Sequence, residues 1–156
     1  MLQEEYIIRK AKLKEVDILQ EIMLQSLAFW GYSEEIMRIL AVNLKITKEF
    51  VRKSIIYLAE KDGIIDGFFG VVPEAEDRNE AKFYLRPKII KQGLGSRLWD
   101  RVIADLRKAG LKYFTFVIDN NAIGFYEKKG AIKIGERPSS VVGENIPLMR
   151  FDLKNN

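Results

Sequence analysis

The sequence predicts an α/β domain, a mixed central sheet of about six to seven strands flanked by about four helices. Three observations lead there. Residues 54–60 and 64–72 are two apolar runs joined by Lys61-Asp62-Gly63, and Asp-Gly between such runs signals a tight hairpin. Residues 97–108 carry Leu98, Trp99, Val102, Ile103 and Leu106 on one helical face and close at Gly110. Residues 111–118 are apolar on both faces, with Tyr113, Thr115 and Val117 opposing Phe114, Phe116 and Ile118, as a strand buried on both sides requires.

From the N-terminus, residues 6–9 read as a first strand. Residues 14–29 place Val16, Leu19, Ile22, Met23, Leu27 and Phe29 mainly on one face at helical spacing. Ser33 reads as the N-cap of a second helix carrying Ile36, Met37, Ile39 and Leu40. Thr47 starts a further short helical turn. After the hairpin come an acidic loop at 73–79 and a third meander strand at 80–86, stopped by Pro87. A loop with two glycines, 88–96, leads into the helix at 97. The central strand is followed by a short helix at 121–129, ended by Gly130, and by two closing strands, 131–136 and 146–153, joined through the polar loop 137–145. The order is β-α-α-β-β-β-α-β-α-β-β. Without a repeat, a low-complexity tract or a linker, residues 1–156 read as one domain.

A chain of 156 residues buries about two thirds of its unfolded surface, so its core needs neither disulfide nor metal. Hydrophobic residues at 47% and charged residues at 31% are those of a soluble globular protein. There is no Cys and no His. That excludes a cysteine nucleophile, thiolate zinc sites, a Ser-His-Asp triad and an imidazole base. Acid–base chemistry falls to Asp, Glu, Tyr, Lys or the substrate. The net charge of +4 comes from interleaved signs, which reads as a mixed surface rather than a nucleic-acid stripe, and it suits a small polyanionic ligand. Met1-Leu2-Gln3-Glu4-Glu5 lacks the basic start of a signal peptide, and no apolar run approaches the roughly 18 residues of a membrane span, so the cytoplasm is the expected location.

Lys91-Gln92-Gly93-Leu94-Gly95-Ser96 lies between a strand and a helix. Glycines there let backbone approach a ligand, and a helix N-terminus offers unpaired N–H groups and a positive dipole end, the physics of a phosphate cradle. Ser96 is a candidate N-cap. The same glycines also serve a plain turn. A dinucleotide site is a competitor: Asp119 closes the next strand about 24 residues after Gly95, near the spacing of a ribose-binding acid. Against it, Leu98 occupies the third glycine position, and a loop separates the strand from Gly93.

The run Leu85-Arg86-Pro87-Lys88-Ile89-Ile90-Lys91-Gln92-Gly93-Leu94-Gly95-Ser96-Arg97-Leu98 resembles the acetyl-CoA signature of the GCN5-related N-acetyltransferase (GNAT) superfamily. Asn120-Asn121-Ala122-Ile123-Gly124-Phe125-Tyr126-Glu127-Lys128-Lys129-Gly130-Ala131 is similar to its Asn…Ala-x-x-x-Tyr-x-x-x-Gly-Phe segment. Ile8-Arg9-Lys10-Ala11 with Asp17, and Asp62-Gly63-Ile64-Ile65-Asp66-Gly67-Phe68, are like its opening and its β2–β3 hairpin. Ile90 stands where the family carries its first Arg or Gln, which leaves that phosphate contact to backbone amides.

The resemblance implies a GNAT-like fold with acetyl-CoA as co-substrate and no metal. It implies that Lys91, Gln92, Gly93, Gly95 and Ser96 cradle the pyrophosphate and that Asn121 touches the cofactor. Leu85 would hold the pantetheine and give a backbone N–H to the thioester carbonyl, in a splay opening after Leu85 and Phe116. Tyr126 would act as acid toward the leaving thiolate, and Glu80 as a base through water. The plain readings are a packing role for Tyr126 and an exposed strand-end charge for Glu80. Phe29-Trp30-Gly31-Tyr32 is core packing or an apolar wall of the acceptor site. The expected activity is N-acetylation of a primary amine on a small molecule or peptide by direct attack in a ternary complex. No nucleic acid or membrane partner is expected, and a homodimer is compatible with the family. A CoA-binding sensor without transfer, a nucleotide-dependent oxidoreductase and a basic nucleic-acid binder are the alternatives. Segments 27–45, 73–79 and 137–145 would select the acceptor.

Overall fold

A hairpin whose strands give alternate side chains to opposite cores organises the chain. The computed structural model describes residues 5–141 and 143–154. Apart from Glu5, the start read for a signal peptide lies outside them, as does Val142 of the polar loop. Strands β2 (Ile55–Lys61) and β3 (Ile64–Val71) pair antiparallel around Asp62 (φ 53°) and Gly63 (φ 80°). Two positive φ values in a two-residue turn match the twist of the strands, which is why Asp-Gly sits there. Strand β1 (Ile7–Lys10) adds to β2, and β4 (Ala81–Leu85) adds to β3, all antiparallel. Tyr57, Ala59, Phe69 and Val71 enter one core, and Ile56, Leu58 and Phe68 enter the other. That is the period-two alternation of a pleated strand.

The second core is covered by helices α1 (Val16–Ala28), α2 (Glu34–Asn43) and α3 (Lys48–Lys53). Leu19, Ile22, Met23 and Leu27 of α1 are buried there with Phe50 and Val51 of α3. Ser33 and Thr47 cap as expected: their hydroxyls accept from the amides of Ile36 (3.2 Å) and Phe50 (3.0 Å). The first core is covered by α4 (Leu94–Lys108), whose Trp99 stacks on Phe69 at 5.5 Å and meets Phe151 edge-on at 5.0 Å. Helix α4 begins three residues before the apolar periodicity indicates. Gly93, at φ 88°, is its N-cap, and Ser96 lies inside the first turn instead of capping it. The left-handed glycine has already turned the chain into the helix, so no capping role is left for the serine.

Strands β5 (Tyr113–Val117), β6 (Ile132–Pro138) and β7 (Asn145–Asp152) form a second ladder in the order β5-β7-β6, with α5 (Ile123–Lys128) between β5 and β6. The described residues thus make two ladders, of four and three strands, where one mixed sheet was expected, and five helices with α3 counted. The overall plan is the mixed α+β one. Burial of β5 on both faces holds only at its middle: Phe114, Thr115 and Phe116 are buried, while Tyr113 is exposed under the guanidinium of Arg150, 3.8 Å from its ring.

One residue joins the ladders. The Asn79 amide donates to Thr115 O at 2.6 Å, and Thr115 N donates back to Asn79 Oδ1 at 3.1 Å. Asn79 Nδ2 donates to the carbonyls of Val72 (3.0 Å) and Pro73 (2.9 Å), and Thr115 Oγ1 donates to Asp77 O at 2.9 Å. Asn79 is 7% exposed. Beyond this clasp β4 and β5 share no ladder. Asn79→Ala removes three side-chain hydrogen bonds, two of them buried, and strands their partners, so stability falls by about 2–4 kcal/mol. A lower urea midpoint with an unchanged m value is the expected readout.

Candidate active site

Where β4 and β5 part, a cleft of about 980 Å³ opens. Its walls are β4, the end of β5, the start of α4, α5 and the link between α1 and α2.

At one end stands the glycine loop. Lys91 (φ 69°) and Gly93 (φ 88°) are both left-handed. Positive φ in a lysine is a strained conformation, and such strain gathers at ligand-binding loops. The amides of Gly93, Leu94, Gly95 and Ser96 open helix α4 and have no partner within the helix. A Cβ on Gly95 would stand at ordinary contact distance, 3.5 Å from both Leu85 Cδ1 and Phe125 Cε1. Lys91, Gly93, Gly95 and Ser96 line the cleft together with Ile90 and Lys128. Gln92 does not: it is exposed, and its Nε2 donates back to Lys88 O at 3.0 Å. Backbone donors, a helix N-terminus and two lysines supply what a diphosphate requires.

Alternation along β4 separates two sets of side chains. Phe83 points toward α4, stacked on Phe69 at 4.2 Å. Tyr84 lies against Phe68 of the opposite core, and Lys82 sits over Phe50 of that core, 5.7 Å from the ring centroid. Lys82 is buried, and its Nζ donates to the C-cap carbonyl of α2, Leu44 O, at 3.2 Å. Burial pushes its ammonium pKa down, and Glu80 opposes that shift from 3.8 Å. Glu80 itself stands at the rim, just ahead of β4, with its side chain 56% exposed.

Leu85 is held by its neighbours. Arg86 N donates to Asp66 O (2.8 Å) and Arg86 Nε to Ile65 O (3.0 Å), while Nη1 reaches Gln25 (2.8 Å) and Glu21 (3.1 Å) of α1. The buried Asp66 carboxylate accepts from Tyr6 OH at 2.5 Å and faces Arg86 Nε at 3.1 Å without a hydrogen bond, because that N–H is spent on Ile65. At Gly67 any side chain would collide with Leu85.

Tyr126 of α5 is buried among Phe83, Trp99 and Phe125, and its hydroxyl has no hydrogen-bond partner among the described residues. Tyr32 reaches across the cleft: its hydroxyl donates to Asp119 Oδ2 at 2.5 Å, while Asp119 Oδ1 accepts from Asn121 N and Nδ2, both at 2.8 Å. The pair is 87 residues apart in sequence and has no local signal. Asp119, a candidate ribose acid on spacing alone, is the N-cap of the turn before α5. The aromatic cluster divides: Trp30 and Tyr32 line the cleft, whereas Phe29 is 55% exposed and packs edge-on against Trp30. Glu80, Leu85, Asn121 and Tyr126, singled out from the sequence, line this one cleft, and so do Tyr84 and Lys82, which were not.

The family model for the acetyltransferase (GNAT) domain matches residues 52–130, just over half of the chain. The chain belongs to the GNAT family. The match runs from ahead of the hairpin, through the clasp and the glycine loop, to Gly130. No curated protein matches the sequence. Among solved structures the GNAT chain is similar to the PaiA N-acetyltransferase of Thermoplasma acidophilum in complex with coenzyme A (TM-score 0.77, 19% identity, 94% of this chain and 98% of that one). It is also similar to the ribosomal-protein-S18-alanine N-acetyltransferase of Escherichia coli (TM-score 0.70, 18% identity, 97% and 96%). An aminoglycoside 6′-N-acetyltransferase complexed with coenzyme A gives a TM-score of 0.70 at 14% identity, over 96% and 98%. These likenesses establish the GNAT fold over nearly the whole chain.

Among the described residues of this GNAT protein, no helix is long and apolar enough to cross a membrane, and no three carboxylates gather as metal ligands. Its three cleft tyrosines, and Tyr6 outside the cleft, share one electrostatic property. Burial, and then Tyr84, hold the Tyr126 phenol well above the usual tyrosine range, and burial with Asp119 does the same for Tyr84. Burial and the Asp119 hydrogen bond raise Tyr32, and burial with Asp66 pushes Tyr6 up to about 12. An unfolded tyrosine ionises near pH 10, so the unfolded chain gives up these protons first. Their stabilising contribution is therefore complete below about pH 10 and is lost as pH rises through 12. A urea midpoint flat to about pH 10 and falling above it, with the tyrosinate absorbance of these four residues appearing only on unfolding, is the expected outcome.

Proposed function

We propose that this GNAT protein is an N-acetyltransferase that moves the acetyl group of acetyl-CoA to a primary amine of a small molecule or peptide, by direct attack in a ternary complex. The observation that carries the reading is the unpartnered hydroxyl of Tyr126, a buried residue lining a cleft whose far end is a glycine cradle. The donor's diphosphate lies on the amides opening α4, with Lys91, Gly93, Gly95 and Ser96 around it and Gln92 at its outer side. Pantetheine follows Leu85 between the parted strands. Asn121 has its Nδ2 committed to Asp119, which leaves its Oδ1 for the cofactor.

The amine nitrogen attacks the thioester carbonyl carbon. A C–N bond forms, the C–S bond breaks, and one proton passes in net from nitrogen to sulfur. The Leu85 backbone N–H donates to the developing oxyanion. Glu80 at the rim takes the amine proton through water. Tyr126 stays neutral because of its raised pKa, while a thiol ionises near 8.5. Full proton transfer from Tyr126 is therefore uphill, and its role is to donate a hydrogen bond to the thiolate as it departs. Direct transfer needs no acyl-cysteine and no imidazole, in keeping with a chain that has neither Cys nor His.

Gly93→Glu places a bulky anion where the diphosphate lies, at a residue held at φ 88°. Calorimetric titration should show acetyl-CoA binding lost while the circular dichroism spectrum stays native. Tyr126→Phe should lower kcat by about 10- to 100-fold, read by thiol release with an amine panel, and leave KM for acetyl-CoA within about twofold. CoA binding without turnover on any amine would replace the enzyme by a sensor module. Affinity surviving Gly93→Glu would move the cradle elsewhere.

A further inference from the structure

The end of the cleft away from the glycine loop carries charges whose partners are unevenly distributed. Its carboxylates are matched already. Asp119 takes three donors, from Tyr32 and Asn121. Glu144 Oε1 accepts from Ser139 Oγ at 3.3 Å, and Glu80 faces Lys82. The cations are matched less fully. Lys82 has its side chain only 8% exposed, yet of three ammonium donors one is spent, on Leu44 O. The Glu80 oxygen, 3.8 Å away, is too far for a hydrogen bond. Arg78, at the rim of the same cleft, has neither hydrogen bond nor ion pair among the described residues.

A cation buried this deeply with donors left over is an incomplete arrangement, because desolvation is offset in full only when the paired charge also takes its hydrogen bonds. The downward push on the Lys82 pKa reports the same deficit. An anion arriving with the substrate removes it. The position suits such a substrate. Lys82 and Tyr84 share a face of β4 two residues apart, about 7 Å along the strand, and both line the cleft with Tyr126. An acceptor with its nitrogen at the Tyr84–Tyr126 end therefore reaches Lys82 with a group a few bonds further on.

We infer that Lys82 and Arg78 form an anion subsite and that the acceptor is an amine bearing a carboxylate, an amino acid in the broad sense. This rests on the acetyl-transfer reading and narrows its acceptor class. Lys82 closes on the carboxylate from the floor, and the Arg78 fork closes from the rim.

The test uses amine pairs that differ by one carboxylate: 4-aminobutyrate against propylamine and phenylalanine against phenethylamine, with putrescine as a polycation. The full chain should favour the acid member by about tenfold or more in kcat/KM, carried by KM. Lys82→Met should bring the pairs within about twofold of each other, with acetyl-CoA titration unchanged. Arg78→Ala, at an exposed residue that the fold does not need, should narrow the preference by about threefold. Preference for propylamine or putrescine overturns the subsite, and so does an acid preference that both variants leave intact. If the protein binds CoA and acetylates no amine, the transfer reading fails on its own. The subsite is then read by calorimetry on the CoA-loaded protein, with N-acetyl-4-aminobutyrate against N-propylacetamide. Tighter binding of the acid, weakened in Lys82→Met and Arg78→Ala, supports the subsite, and equal binding overturns it.

Discussion

The clasp of Asn79 on Thr115 is the constraint on which the rest of the structure depends. Strands β4 and β5 are each the edge of their ladder. Two edges side by side would ordinarily pair along their length, because unpaired N–H and C=O groups seek partners. Here the pairing is confined to Asn79, two residues ahead of β4, where a side-chain amide and a backbone amide meet one threonine. Held together there and parted beyond, the strands leave a cleft between residues 81–85 and 117–119. Full pairing would close the cleft.

The parted strands then draw titratable groups into an environment that disfavours their charged forms. Burial raises the phenols of Tyr84 and Tyr126 and lowers the ammonium of Lys82 for one reason, the cost of holding charge away from water. Tyr32 and Asp119 bridge the cleft and satisfy each other. Below it Arg86 ties the end of β4 to β3 and α1, while Asp66 Oδ1 beside it keeps no hydrogen-bond partner. Around Leu85, Tyr126 and Lys82 keep donors unspent, and both line the cleft.

Much of the fold is legible in the sequence because its signals are local. Asp62-Gly63 requires a tight turn whatever surrounds it, Ser33 and Thr47 cap helices through amides three residues away, and the Trp99 face of α4 follows from a 3.6-residue period. The start of α4 is misread because a capping hydroxyl and a left-handed glycine compete for one role, and the glycine, which turns the backbone itself, takes it. The division into two ladders is not legible, since a strand's residues do not state which edge it will meet.

The site divides in the same way. By itself the sequence determined the glycine loop ahead of a helix, the tyrosine segment of α5 and the absence of cysteine and histidine chemistry, because each is a matter of residue type at short spacing. Only the tertiary structure decided that Tyr32 would reach Asp119 across 87 residues, that Lys82 would be buried beneath Leu44, and that Gln92 would turn away from the cleft. Those outcomes depend on where separate elements are held in space and on which polar groups find partners when water is excluded, and neither is written in any short stretch of chain.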